Sequence, residues 1–451
     1  MIDHQRWLRP SAAAAVALLL SGCATFSGDG GFSTVAQATK ARSGADTRML
    51  RNDEDRRALE SEVRKLLAEP LSPQAAVQIA LLNNRGLQAT YWDLGIAEAD
   101  LVQAGRMQNP GFSFKRTHGG GEIAIERTLT FNLLNLITLP LASRIEAQRF
   151  EQVRLQVSAE AVRVAQDTAR AYYEAVGAGQ SLAAAKQVQD AAGASAELAT
   201  RMQKGGNWSK LDAAREQAFN AEALAEVRRA SKAANGAREK LTRLMGLGGP
   251  DAAYKLPERL PELPAAPREL QDVEEQALRE RLDIQAAKLD TEHTARTLGL
   301  NKTTRFINAL DLSAIRESDG GTKMRGYELS IEIPLFDWGG AKVARAEATY
   351  MQSVNRLAET ATNARSEARE SYEDYKTTYE LARHYRDNVL PLRQQISQET
   401  LLRYNGMLMS VFELLAEARE QATAVNNYIA ALQEFWIADT NLDAALGGKS
   451  K

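Results

Sequence analysis

The sequence predicts a mainly α chain with a small membrane β-barrel portion, built as two copies of a strand pair followed by a long α-helical coiled-coil hairpin. Three features carry that reading. The chain resembles itself at an offset of about 200 residues, both copies hold long proline-free stretches rich in good helix formers, and alternating segments around glycine turns precede those stretches.

Composition agrees. Hydrophobic residues make up 44% of the 451, but aromatics only 6%, and Ala carries much of the apolar share, which suits long thin helices better than a thick core. Lys and Arg number 56 against 58 Asp and Glu, so the net charge of −2 gives no electrostatic footprint for nucleic acid. One cysteine excludes a disulfide framework and a Cys-based metal cluster, and His4, His118, His293 and His384 are far apart in the chain. No phosphate-binding glycine loop with its lysine occurs, and Gly119-Gly120-Gly121 reads as a turn. Glu370, Glu373 and Asp374 on one helix read as a solvated face, with a pore lining or an acidic catalytic group as alternatives. The sequence therefore predicts no enzyme, no cofactor, no metal site and no catalytic residue.

Residues 1–22 carry Arg6 and Arg9, then the apolar run Ala12 to Leu20, too short to span a bilayer. Leu20-Ser21-Gly22-Cys23 resembles the bacterial lipobox, in which the cysteine is lipidated, typically diacylglyceryl plus palmitate, and becomes the new N-terminus. Cys23 is thus the expected lipid attachment site, followed by an N-terminal segment over 23–70. Ala24 lacks the aspartate of inner-membrane retention, which points to the outer membrane.

The repeat divides the rest into 71–249 and 268–448. Ala80-Leu81 and Leu87-Gln88-Ala89 return as Ala277-Leu278 and Ile284-Gln285-Ala286. Ala169-Arg170 with Tyr173-Glu174 returns as Ala368-Arg369 with Tyr372-Glu373, Gly206 as Gly406, and Leu244-Met245-Gly246 as Ala445-Leu446-Gly447. Between the copies, 250–267 holds Pro257, Pro261, Pro264 and Pro267 and reads as an extended linker.

Proline placement bounds the helices, because an internal proline loses a backbone hydrogen bond and clashes with the preceding turn. The expected helices run from about Ala142 to Gln203 and Lys210 to Met245, then Ala341 to Tyr404 and Val411 to Leu446, with a kink at Pro391. The first would be roughly 90 Å long at 1.5 Å per residue. Strands are expected over Pro110–Thr117 and Glu122–Leu129, then Phe306–Arg316 and Met324–Ile333, with Tyr327, Leu329, Ile331 and Ile333 on one face. Phe112 and Phe114 would face lipid, and Ser113, Lys115 and Thr117 a polar lumen. Four strands cannot close a barrel, and open edges are not tolerated in lipid, so several chains would have to share one. The apolar run Leu129 to Leu141 is expected to be buried where barrel meets helices.

Signal, duplicated halves, strand pairs and helical hairpins together resemble the outer-membrane efflux proteins, the TolC-like outer-membrane factors, over nearly the whole mature chain. The most specific piece is Ile333-Pro334-Leu335-Phe336-Asp337-Trp338-Gly339-Gly340, similar to the family's strand-to-helix junction. There Pro334 ends strand pairing, Asp337 can cap the helix, and Gly339 and Gly340 permit the turn. Gly206 with Asp212, and Gly406 with Val411 to Leu415, look like the family's adaptor-docking hairpin tips, although Phe412 stands where the first tip has an acid.

The resemblance implies a TolC-like trimeric barrel-tunnel in the bacterial outer membrane, lipid-anchored, with its helical tunnel in the periplasm. Such a homotrimer receives substrate from a periplasmic adaptor, the membrane fusion protein, and an inner-membrane efflux pump, and conducts it outward. The competing reading is a non-conducting structural coiled-coil outer-membrane lipoprotein, which would need neither strands nor tip glycines.

Overall fold

The computed structural model describes residues 25–119, 122–307 and 309–448; Cys23, the signal, and the turn glycines Gly120 and Gly121 lie outside them. Four helices come first: α1 (Phe32–Ser43), α2 (Asp53–Leu66), α3 (Pro73–Asn83) and α4 (Arg85–Ala104). The hairpin β1 (Gly111–Gly119) and β2 (Glu122–Asn132) follows, then α5 (Leu133–Lys204) and α6 (Lys210–Leu244). The second half repeats the plan with α7 (Val273–Glu280), α8 (Leu282–Thr304), β3 (Leu310–Asp319), β4 (Thr322–Ile331), α9 (Gly340–His384), α10 (Leu390–Asn405) and α11 (Val411–Ala445). Among the described residues no helix is long and apolar enough to cross a membrane.

The chain forms two compact units. The first takes residues up to Val35, Tyr91–Val157 and Leu282–Ala361, and contains the sheet; the second takes Ala36–Thr90, Ser158–Arg281 and the chain from Thr362, and contains both hairpin tips.

In the first unit, all four strands pair antiparallel in the order β1-β2-β3-β4. The central β2 to β3 pairing, with Leu129 opposite Ala314, joins the two halves of the chain. Both β3 and β4 differ from expectation. Helix α8 continues to Thr304, so Phe306 is not in a strand and instead meets Trp338 edge to face at 6.3 Å. Strand β4 starts earlier because the turn is only Gly320 and Gly321, at φ of 51° and 88°, the left-handed conformation that two-residue hairpin turns demand. Ile333 accordingly lies beyond the end of β4.

Helix α5 also begins earlier than proline placement predicts. Asn132 caps it by accepting the Asn135 N–H at 2.7 Å, and Pro140 lies inside the helix. One lost hydrogen bond near the start of a 72-residue helix, about 108 Å long, is tolerable. The expected burial of the apolar run is not found within the chain: Leu136, Ile137 and Leu141 are exposed by 46, 67 and 37%. The kink expected at Pro391 takes the form of a π-helical turn, Tyr385–Val389, immediately before it, where Leu390 N–H reaches back to the Tyr385 carbonyl.

The core of the second unit is aromatic. Phe435 packs against Tyr375, Tyr379 and Trp436 with ring centroids 5.6, 5.7 and 5.1 Å away, and Trp436 stacks on Tyr173. This cluster fastens the Pro-rich linker, which is extended but not free. Trp436 Nε1 donates to the Pro261 carbonyl, the Tyr379 hydroxyl to those of Pro264 and Ala265, and Leu260 and Leu263 are buried. The repeat also appears in the backbone. Gly246 and Gly447 both end helices at positive φ, and a Cβ on either would meet backbone at the end of α3 (Asn83) or α7 (Glu280) within 3 Å.

Candidate functional site

The sheet register sorts the strand side chains onto two faces. Phe112, Leu129, Ala314 and Tyr327 are directly opposite one another across the four strands, and Phe131, Leu312 and Leu329 form the adjacent row. Phe112, Leu129, Tyr327, Phe131, Leu312 and Leu329 are all exposed. The opposite face carries Ser113, Lys115 and Thr117 on β1, as the alternation predicts, and is hydrogen-bonded across strands, with Thr130 Oγ1 and Ser313 Oγ 2.9 Å apart. It is also acidic, bearing Glu122, Glu126, Asp311, Glu317, Asp319 and Glu328, with Lys115 in an ion pair to Glu126 at 3.8 Å. A sheet with an apolar face and a hydrophilic face suits the wall between lipid and a wet lumen. The acidic bias is visible only once register is known, because strand periodicity alone does not align four strands.

At the strand-to-helix junction Pro334 lies in the loop after β4, and the Glu332 N–H makes the last ladder-like bond, to the Ala309 carbonyl. Asp337 acts one step earlier than a helix cap: its Oδ1 accepts the N–H of Gly339 at 2.9 Å, fixing the turn before α9. Gly339 is at φ 70°, and a Cβ there would come 2.6 Å from the Arg305 carbonyl oxygen, whereas Gly340 faces open space. Phe336 is 99% exposed beside this turn.

At the first hairpin tip Gly206, at φ 77°, closes α5 as the left-handed residue of a Schellman motif, with Asn207 N–H reaching the Met202 carbonyl and Gly206 N–H that of Gln203. Ser209 then caps α6. Its Oγ accepts the Asp212 N–H at 3.1 Å and donates to the Asp212 carboxylate at 2.6 Å, so Asp212 is engaged in the cap.

The second tip repeats this geometry at an offset of 201, not 200. Gly406 has φ −80° and occupies the place of Gly205, whereas Met407, at φ 58°, is the counterpart of Gly206, with Leu408 N–H bonding the Arg403 carbonyl. Ser410 and Glu413 form a full capping box, and the Ser410 N–H on the Glu413 carboxylate holds that group below its ordinary pKa. Glu413 is therefore the counterpart of Asp212, and Phe412 that of Leu211, so the second tip does not lack its acid. Sequence comparison missed the shift because a glycine stood one residue from the place where one was expected. Met407 and Leu408 are 94 and 82% exposed.

Two contacts join the tips. Trp208 stacks on Phe412, and behind them Glu216 on α6, only 2% exposed, accepts from Ser195 Oγ on α5 at 2.7 Å and from Arg419 Nη2 on α11 at 2.8 Å. Arg419 also lies 3.8 Å from the Phe219 ring centroid. The contacts that Phe412 and Arg419 make with the first hairpin had no signal in the sequence, because they join segments about 200 residues apart in the chain.

No family model matches the chain. It is similar to the cobalt-zinc-cadmium resistance protein CzcC of Cupriavidus metallidurans, 23% identical over 397 residues that span 84% of this chain and 91% of that protein. Among solved structures it superposes on the outer-membrane channel OprN with a TM-score of 0.70 at 18% identity, covering 91% of this chain and 95% of that one. The CmeC outer membrane channel of Campylobacter jejuni gives a TM-score of 0.68 at 16% identity, covering 89% of each. The chain therefore has the fold of the TolC-like outer-membrane efflux channels, the family that its sequence resembles.

Proposed function

We propose that this chain is the outer-membrane channel of a tripartite efflux system, a homotrimer that takes substrate from a periplasmic adaptor and an inner-membrane pump and conducts it to the exterior. The observation that carries the proposal is the sheet: one exposed apolar face, one hydrophilic face, and unpaired edges at β1 and β4. Open edges in lipid leave backbone groups unsatisfied at several kcal/mol each, so the sheet needs further copies to close, and three chains of four strands give twelve. Cys23 would carry the lipid anchor in the outer membrane, and the helical hairpins would extend into the periplasm. The tips around Gly206, Asp212 and Gly406, with the exposed Met407 and Leu408, would dock the adaptor. The acidic inner face favours cations, in line with the metal resistance for which CzcC is named.

Detergent-extracted protein should migrate as a heat-sensitive trimer and give discrete conductance steps in a planar bilayer. A well-folded protein that forms neither trimers nor conducting pores would instead support the non-conducting coiled-coil lipoprotein.

A further inference from the structure

The apolar face of the sheet changes character toward the turn between β3 and β4. Phe114, Arg127, Arg316 and Arg325 are directly opposite one another across the four strands, so three arginines stand side by side in one row. The next row toward the turn adds Arg116 and Lys323. All five cations are exposed, and none makes an ion pair among the described residues. Every carboxylate of the described strands points to the other face. Like charges directly opposite one another on a sheet destabilise it, and arginine facing hydrocarbon is costly near mid-bilayer but nearly neutral at an interface. The row therefore belongs at the edge of the hydrocarbon, where an external anion can meet it. Its neighbours indicate where that is: Phe114 lies under the Arg127 guanidinium at 5.9 Å, and the row below presents Phe112 and Tyr327, the aromatic girdle that marks the edge of the hydrocarbon.

We propose that Arg127, Arg316 and Arg325, with Arg116 and Lys323, form a binding surface for the phosphates of lipopolysaccharide in the outer leaflet. This rests on the channel reading, which puts the apolar face in lipid. The turn end of the strands is opposite the end that enters α5 and α9, so with the helices in the periplasm it lies in the outer leaflet, where the abundant anionic lipid is lipopolysaccharide. Guanidinium groups bind phosphate by paired, charge-assisted hydrogen bonds, and three in register suit a headgroup with more than one phosphate.

The test uses the full-length trimer, washed in detergent with lipid A, with lipid A stripped of its phosphates, or with phosphatidylglycerol, the retained lipid being measured by mass spectrometry. Lipid A should be retained about tenfold or more over the other two, and Arg316→Gln with Arg325→Gln should abolish that preference. Arg316→Lys with Arg325→Lys should keep most of it, and Lys115→Gln, on the opposite face, all of it. Equal retention of phosphate-free lipid A, or an unchanged preference in the double Gln variant, would overturn the assignment; equal retention of phosphatidylglycerol would overturn lipopolysaccharide as the ligand. Conductance is recorded on the same samples. Wild-type protein that conducts without a lipid A preference sinks this inference alone, whereas wild-type protein that never inserts sinks the channel reading and this with it.

Discussion

The indole of Trp208 lies stacked on the ring of Phe412, centroids 4.4 Å apart and planes inclined by 27°. One residue belongs to the turn of the first helical hairpin and the other to the first turn of α11, so an aromatic pair closes the two tips on each other. Stacked pairs contribute roughly 0.5 to 1.5 kcal/mol beyond their area. A thermal-melting cycle of Trp208→Ala, Phe412→Ala and the double variant should show a coupling of that size. Strictly additive effects would mean that the rings do not support each other.

The two tips should respond oppositely to glycine. Met407 holds the left-handed conformation at a cost of roughly 1 kcal/mol, so Met407→Gly should raise the melting temperature, while Gly206→Ala should lower it by a similar free energy. Because Met407 is so exposed, Met407→Gly should also weaken adaptor cross-linking in cells while trimer yield is maintained. A stabilised variant with full cross-linking would remove Met407 from the docking surface.

Neighbouring glycines at the strand-to-helix junction differ sharply. Gly339→Ala places a Cβ against the Arg305 carbonyl in a left-handed backbone, and trimer yield should fall by several-fold. Gly340→Ala meets nothing and, at the start of α9, should be neutral or slightly stabilising. Comparable yields from the two variants on a native gel would contradict the geometry described for this turn.

Behind the tips, the buried Glu216 depends on Arg419. Arg419→Met leaves its carboxylate with Ser195 as a donor and should destabilise by about 2–4 kcal/mol, less than for a fully enclosed pair because the arginine is partly exposed. Adding Glu216→Gln should recover part of that loss. If the single variant unfolds at the wild-type urea midpoint, the ion pair is not a determinant of stability.

Much of the architecture was legible in the residues themselves because its signals are local. Gly205 to Trp208 interrupts a long proline-free run, the glycine turns separate alternating segments, and paired glycines at 246 and 447 close equivalent helices. Such features depend on backbone preference and periodicity, which neighbouring residues fix. Pro140 misled for the same reason, since its local penalty is small beside the cooperativity of a 72-residue helix. Register and cross-helix contacts are different. The one-residue shift that puts Met407 in the place of Gly206, the gathering of the strand carboxylates on one face of the sheet and of the strand cations other than Lys115 on the other, the linker held by Trp436 and Tyr379, and the meeting of Glu216 with Arg419 all join segments distant in the chain. Those pairings are selected by packing the whole set of helices and strands at once, a free energy that no single stretch of sequence contains.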